Sequence, residues 1–385
     1  MEAECELTAG WSWLYDARYV AQNPHCLVNA DCLMITTYFG ERKRVGRQFV
    51  AESLLDLYER HEIATSILMR GVEGFGLKHR LRTDTSLTLS EDLPGVAIAV
   101  DTRERIEAVL DEAVLASGSG LVTLERARMQ TGELDPITLP AELHEATKLT
   151  VYLGRQERVY RVPAFVAVCD LLRRRGIAGA STLLGVDGTA RGQRERAQFF
   201  GRNVEVPVMV IAVGSGEQIM RVLPELGGLL RQPLITLERV RICKSDGELI
   251  EAPHALPGAD DDGMALWQKL MVYTSESHLY RGQPINRAII RRLRAAGCSG
   301  ATTLRCIWGF SGDHQPHGDR TFQFGRHVPT VTIIIDTPKR IAESFAIIDE
   351  FTAEHGLITS EMVPAMHTTA DENSRSGLQL ARHQF

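Results

Sequence analysis

Several things are missing from this 385-residue chain, and each absence removes a class of function. Seven cysteines, Cys5, Cys26, Cys32, Cys169, Cys243, Cys298 and Cys306, are odd in number, scattered and without a Cys-x-x-Cys pair, which argues against a disulfide framework. There is no basic surplus. The formal charge of -6 argues against a generic nucleic-acid or membrane-surface binder, whose affinity would come from a cationic face, so any polyanion site must be local. No apolar window is long enough for a spanning helix. The first thirty residues carry Trp11, Trp13 and Tyr15 but no continuous apolar stretch, so they fail as a secretory leader. Neither G-x-x-x-x-G-K-[ST] nor G-x-G-x-x-G follows a strand and opens a helix. No base recurs beside a Ser, Cys or carboxylate in the way an enzyme would need. The expectation is a soluble, cytoplasmic, non-enzymatic protein.

What is present is one pattern written three times. LMITTYFGERKRV from Leu33, LTVYLGRQERVY from Leu149 and LMVYTSESHLY from Leu270 occupy equivalent places, so Tyr38, Tyr152 and Tyr273 correspond. Each is followed by a helical stretch, a loop opening at Gly71, Gly185 or Cys306, an apolar run after Pro94, Pro207 or Pro329, a second helix and a closing strand. Repeats of this size determine the fold reading. The boundaries are a 1–30 extension, copy 1 at 31–130, a linker at 131–146, copy 2 at 147–244, a linker at 245–266, copy 3 at 267–366 and a tail at 367–385 read as mobile.

Helical periodicity is clear in each copy: Val50, Leu54 and Leu57; Phe165, Val168, Cys169 and Leu172; Ile285, Ala288, Ile289 and Leu293. Pro163 and Pro284 sit near helix starts, and Gly176 and Gly297 where a C-terminal cap is wanted. The second helices carry Ile106, Val109, Leu110, Ala113 and Val114, then Ile219, Val222, Leu223 and Leu226, then Ile341, Phe345 and Ile348. Asp101 and Asp336 read as helix caps. The runs Val96–Val100, Val208–Val213 and Val331–Ile335 are apolar throughout, as a central strand covered on both faces requires. In a βαββαβ unit the helices cover one sheet face only. The other face must be buried, most simply by the sibling copies.

The phrases Gly176-Ile-Ala-Gly-Ala180, Gly71-Val-Glu-Gly-Phe-Gly76, Asp92-Leu-Pro94 and Leu234-Ile-Thr-Leu-Glu238 resemble the bacterial and archaeal family called domain of unknown function 190, a branch of the PII-like superfamily. The likeness spans about three quarters of the chain. Copy 3 departs from it, with Cys306-Ile-Trp-Gly-Phe-Ser311 in the loop and Ser360 before Glu361 where the closing glutamate reads as lost. The resemblance implies an α+β architecture of three tandem ferredoxin-like, PII-like domains packed as an intramolecular pseudo-trimer, monomeric as a chain. It also implies a small ligand between neighbouring copies, long loops projecting toward a partner, and a fluoride channel as a candidate partner. The second Gly-rich loop of the ATP-binding PII signature is not evident at Asp101-Thr-Arg, Gly214-Ser-Gly or Asp336-Thr-Pro.

Three loops carry the candidate chemistry. Loop one offers Gly71, Gly74 and Gly76, then Lys78, Arg80 and Arg82; loop two offers Gly185 and Gly188, then Arg191, Arg194 and Arg196. Glycines let backbone amides approach an anion, and guanidinium forks suit phosphate better than ammonium. If one cleft alone binds, loop two is the choice. Loop three supplies Gly309, Gly312 and Arg320, with His314 and His317 as a candidate zinc or copper pair. The opposing reading of all three is solvated loops whose glycines serve turns. The leading functional expectation is a signalling protein that takes a small anionic ligand, an adenine nucleotide being one candidate, between copies. The alternatives are a scaffold with degenerate clefts, or a metal-handling protein through His314 and His317.

Overall fold

The computed structural model describes residues 30–76, 78–84, 92–131, 146–190, 193–194, 206–231, 233–259, 265–311, 317–318 and 328–367. Copy 1 runs β1 (Ala30–Gly40), α1 (Val50–Arg60), β2 (Thr65–Arg70), β3 (Glu73–Phe75), β4 (Pro94–Thr102), α2 (Arg103–Ser117) and β5 (Leu121–Thr131). Copy 2 runs β6 (Thr147–Gly154), α3 (Ala164–Arg174), β7 (Gly179–Leu184), β8 (Asp187–Ala190), β9 (Pro207–Gly214), α4 (Gly216–Leu229), β10 (Leu234–Arg239) and β11 (Arg241–Ser245). Copy 3 runs β12 (Gln268–Ser275), α5 (Ile285–Ala295), β13 (Ala301–Arg305), β14 (Trp308–Ser311), β15 (Pro329–Asp336), α6 (Pro338–Phe351), β16 (Leu357–Met362) and β17 (Ala365–His367). The extension up to residue 29, most of the first linker, the tail beyond residue 367, and Arg191, Arg196, Gly312, His314 and Arg320 lie outside the described residues.

The helices form where their stripes predict. α1 buries Val50, Leu54, Leu55, Leu57 and Tyr58, with Glu52 in its first turn and Arg60 in its last, each complementing the helix dipole. Gly176, at φ +75°, follows the end of α3, where the left-handed turn suits glycine. Pro163 and Pro284 stand one residue ahead of α3 and α5 rather than inside them. Asp101 and Asp336 are braces rather than helix caps. The Asp101 carboxylate accepts the Ala64 and Thr102 amides, that of Asp336 accepts the Ser299 and Thr337 amides, and Thr102 and Thr337 are the N-cap residues. In the middle copy Ser215 and Gln218 form a capping box instead.

In every copy the long strands lie in the order second, third, first, fourth, all antiparallel: β2-β4-β1-β5, β7-β9-β6-β10 and β13-β15-β12-β16. Alternation along a strand then sorts the side chains. On β1, Leu33 and Ile35 join the core under α1 and α2, while Cys32 and Met34 point to the opposite face. Each copy has its own helix-covered core. A fourth core is shared: Val96, Ile98 and Val100 of β4, Met209 and Ile211 of β9, and Val331, Ile333 and Ile335 of β15 meet in it. The third strands are buried on both faces because the three sheets face one another.

Two sets of strand pairings close the arrangement. The short strand after each second strand adds to a neighbour's edge: β8 of copy 2 on β2 of copy 1, β14 of copy 3 on β7 of copy 2, and β3 of copy 1 on β13 of copy 3. The C-terminal end of each copy crosses in the other sense. The last residues of β5 pair with β10, β11 pairs with β16, and β17 pairs with β5. Lys244 and Ser245, at the junction between copies 2 and 3, therefore belong to a strand laid on copy 3. Among these described pairings no copy is left at an open end.

Candidate functional site

The strongest concentration of chemistry lies where the three sheets meet, and it grows directly from the repeat. Counting four residues back from the equivalent tyrosines reaches Met34, Lys148 and Lys269. The fifth residue of each closing phrase is Glu125, Glu238 or Glu361. Glu361 therefore fills the shared position, and the reading that copy 3 loses this glutamate is corrected: Ser360 replaces the preceding leucine. Register sets Met34 opposite Glu125, Lys148 opposite Glu238 and Lys269 opposite Glu361. All six face the shared interior.

The carboxylates of Glu125, Glu238 and Glu361 have oxygens within 4.8 Å of one another. Lys148 Nζ lies 2.7 Å from Glu238, 3.0 Å from Glu361 and 3.8 Å from Glu125. Lys269 Nζ lies 2.5 Å from Glu125 and 2.7 Å from Glu361. These side chains are 1–7 % exposed. Glu125 also accepts the hydroxyls of Thr36 and Thr123. A group of three carboxylates can hold a metal, but here two ammoniums take the place of the cation. Burial drives the Glu238 carboxyl up to about 7, further raised by Glu361 and Glu125 and opposed by Lys148. Burial would raise Glu361 as well, but Lys148 and Lys269 outweigh it and hold that carboxyl below its ordinary value. Lys148 is held charged in the same way, its burial outweighed by Glu238, Glu361 and Glu125. Composition and motif reasoning missed this centre, because each lysine opens a strand and looks like a solvated side chain. The recoverable signal was the common offset from the tyrosines.

The loop glycines have an architectural place. Gly74, Gly188 and Gly309 are equivalent, and each lies in a short strand laid on a neighbouring copy. A β-carbon on Gly74 would come within 2.6 Å of the Ala301 carbonyl oxygen, and one on Gly188 or Gly309 closer still to the carbonyl of Ser66 or Ala180. Gly71 and Gly185 are crowded by Pro94 and Thr303, and by Ile67 and Pro207. Gly76 is open. His317 pairs through its backbone with Gly309, and Arg194 with Thr189.

A second polar group surrounds the base of loop one. Arg82 meets Asp92 at 2.8 Å, and Asp92 also accepts the Arg42 amide. Lys78 and Arg80 are exposed. Lys43 is half-buried and its ammonium is driven down to about 8, first by burial and then by Arg82 and Lys78, with Asp92 opposing. On the other side of the same loop, Glu73 is 2 % exposed with its Oε2 unbonded, and burial lifts it to about 7 against the pull of Arg287 and Arg291. Arg305 joins Glu276 at 2.6 Å and Asp84 at 3.1 Å. The junctions differ between copies, since the counterpart of Glu73 is Asp187 in copy 2 and Trp308 in copy 3.

The family model DUF190 (Uncharacterized ACR, COG1993) matches this chain three times, at residues 32–129, 146–242 and 267–365, and the chain belongs to that family. A UPF0166 protein of Aquifex aeolicus (strain VF5) is 30 % identical over 99 residues, which is 26 % of this chain and 91 % of that protein. That relative therefore has the length of a single copy. Among solved structures, aspartate kinase from Synechocystis aligns over 88 % of this chain and 45 % of its own, at 11 % identity and a TM-score of 0.22, too low to carry an argument. No helix among the described residues is long and apolar enough to cross a membrane.

Proposed function

We propose that the chain is a non-enzymatic regulatory protein of the PII-like kind, its three copies ferredoxin-like units that together do the work of a three-subunit assembly. A relative the length of one copy supports this, because such a chain has an open sheet face of its own to cover. The ligand is a small anion of the adenine-nucleotide type. The observation that carries it is the convergence of Lys43, Lys78 and Arg82 with Asp92 as the acid between them, where burial first, and then the positive charge of Arg82 and Lys78, depress the Lys43 ammonium. Phosphate oxygens would relieve that repulsion by accepting charge-assisted hydrogen bonds. Loop one starts from β3, which is part of copy 3's sheet edge. An anion ordering the loop would thereby act on the join between copies, and order–disorder of a loop is a sufficient switch. The loops are the surface offered to a partner, for which family resemblance suggests a membrane transporter.

Calorimetric titration with AMP, ADP, ATP and cyclic AMP tests the reading. Saturable binding is expected, weakened roughly ten-fold or more by Lys43→Met with Lys78→Met, as the loss of charge-assisted bonds implies. Flat titrations at millimolar nucleotide would remove it. A scaffold role is the second reading, favoured by one observation. The hairpin ahead of each first helix exposes apolar side chains, with Val45 at 39 %, Tyr160 at 94 % and Leu279 at 59 %. That reading predicts no nucleotide response and a partner lost on Tyr160→Ser.

A further inference from the structure

The ion pairs at the centre obey a cyclic rule. Lys148 lies opposite the glutamate of its own copy, Glu238, and reaches Glu361 of the next. Lys269 lies opposite its own Glu361 and reaches Glu125 of the copy after that. The same step from copy 1 would carry a side chain at position 34 from its own Glu125 to Glu238. That position is Met34, and its sulfur meets the Tyr152 hydroxyl at 3.7 Å instead. Among the described residues Glu238 has one ammonium beside it, while Glu125 and Glu361 each have both lysines within 4.0 Å. Lys148 meets Glu238 Oε2 at 2.7 Å, and among the described residues the buried Glu238 Oε1 has no hydrogen-bond partner.

Three carboxylates thus face two ammoniums in a place closed to water, and a net charge is strongly disfavoured there. We propose that this centre binds one proton, carried on Glu238 and shared with the carboxylates beside it, as the substitute for the third lysine that copy 1 lacks. The proton makes the junction of the three sheets neutral and links their packing to pH.

The groups facing Glu238 are Glu125 on β5, Lys148 on β6, Lys269 on β12 and Glu361 on β16, with the Tyr38, Tyr152 and Tyr273 phenols and the Cys32 thiol of the first strands around them. Burial pushes the three phenols and the thiol up, so they stay neutral, and Lys148 stays charged. The proton therefore comes and goes on the carboxylates alone, and its apparent titration belongs to the set. Met34→Lys gives three ammoniums against three carboxylates, and Glu238→Gln gives two against two. Either variant removes the need for a proton.

Infrared spectra of the full chain at pH 6 provide the test, read as wild type minus each variant. The expected result is a positive carbonyl band of an un-ionised carboxylic acid in both differences, fading as the pH is raised through about 7. Glu73 contributes equally to every spectrum and cancels. A difference without that band overturns the proposal. Glu238→Gln is nearly the same size as the native residue, so the experiment stands even if Met34→Lys does not fold.

Discussion

Lys148 lies within 4 Å of all three central glutamates, so its loss would leave buried negative charge uncompensated. Removing one partner of a buried ion pair leaves uncompensated charge, which costs about 3–5 kcal/mol. Lys148→Met is therefore expected to lower unfolding stability by that amount in urea titrations at pH 7, far beyond a surface lysine such as Lys339. Glu238 gives a pH dependence of defined sign. Its carboxyl rises from 4.5 in the unfolded chain to about 7 in the fold. Its favourable contribution is complete below pH 4.5, declines between 4.5 and 7 and is gone above, a change of roughly 3 kcal/mol. Glu238→Gln should flatten that decline, measured as unfolding midpoint against pH. Glu361, held below its ordinary value, acts oppositely and loses stability as acid protonates it. None of this was legible from residue types. A lysine at a strand start and a glutamate at a strand end carry no sign of burial, and the Leu-to-Ser change at Ser360 hid the third glutamate until register set Glu361 against Lys269.

Among the elements, the helices and third strands were readable because burial imposes a period on them. Val50, Leu54 and Leu57 are all buried, as their spacing requires, and Val96–Val100 is apolar on both faces because both faces are covered. The short strands β3, β8 and β14 were not readable. Each is three or four residues long with glycine second, which looks like loop, and the edge they pair with belongs to another copy far away in the chain. Glycine is present there so that two backbones can approach, which sequence alone cannot distinguish from glycine that admits a ligand. Alanine at Gly74 or Gly188 should cost about 1–3 kcal/mol, as overpacking does. The loss should be local, with faster amide hydrogen exchange in β3 and β13 for Gly74→Ala, and in β8 and β2 for Gly188→Ala. Equal exchange in mutant and wild type would mean that these strands do not pair across copies.

At the scale of the whole molecule, the repeat and its stacking follow from one requirement, that an apolar sheet face be covered. Three copies in one chain meet it through a shared core reinforced by two rings of strand pairing. Truncating Ile333 to alanine, a residue of copy 3 that sits in that shared core, should cost about 2–5 kcal/mol and shift one cooperative transition for all three copies. Separate transitions would mean that the copies fold as independent units. Divergence between copies also has a place at this scale, since a single chain can carry Met34 beside Lys148 and Lys269, which three identical subunits could not. Solution X-ray scattering tests the closed arrangement most directly, because it reports mass and compactness together. The expected result is one chain of 42.7 kDa with a radius of gyration close to the ~21 Å of a compact body of this length. The same mass with a much larger radius, or a multiple of the mass with copies exchanged between chains, would contradict it.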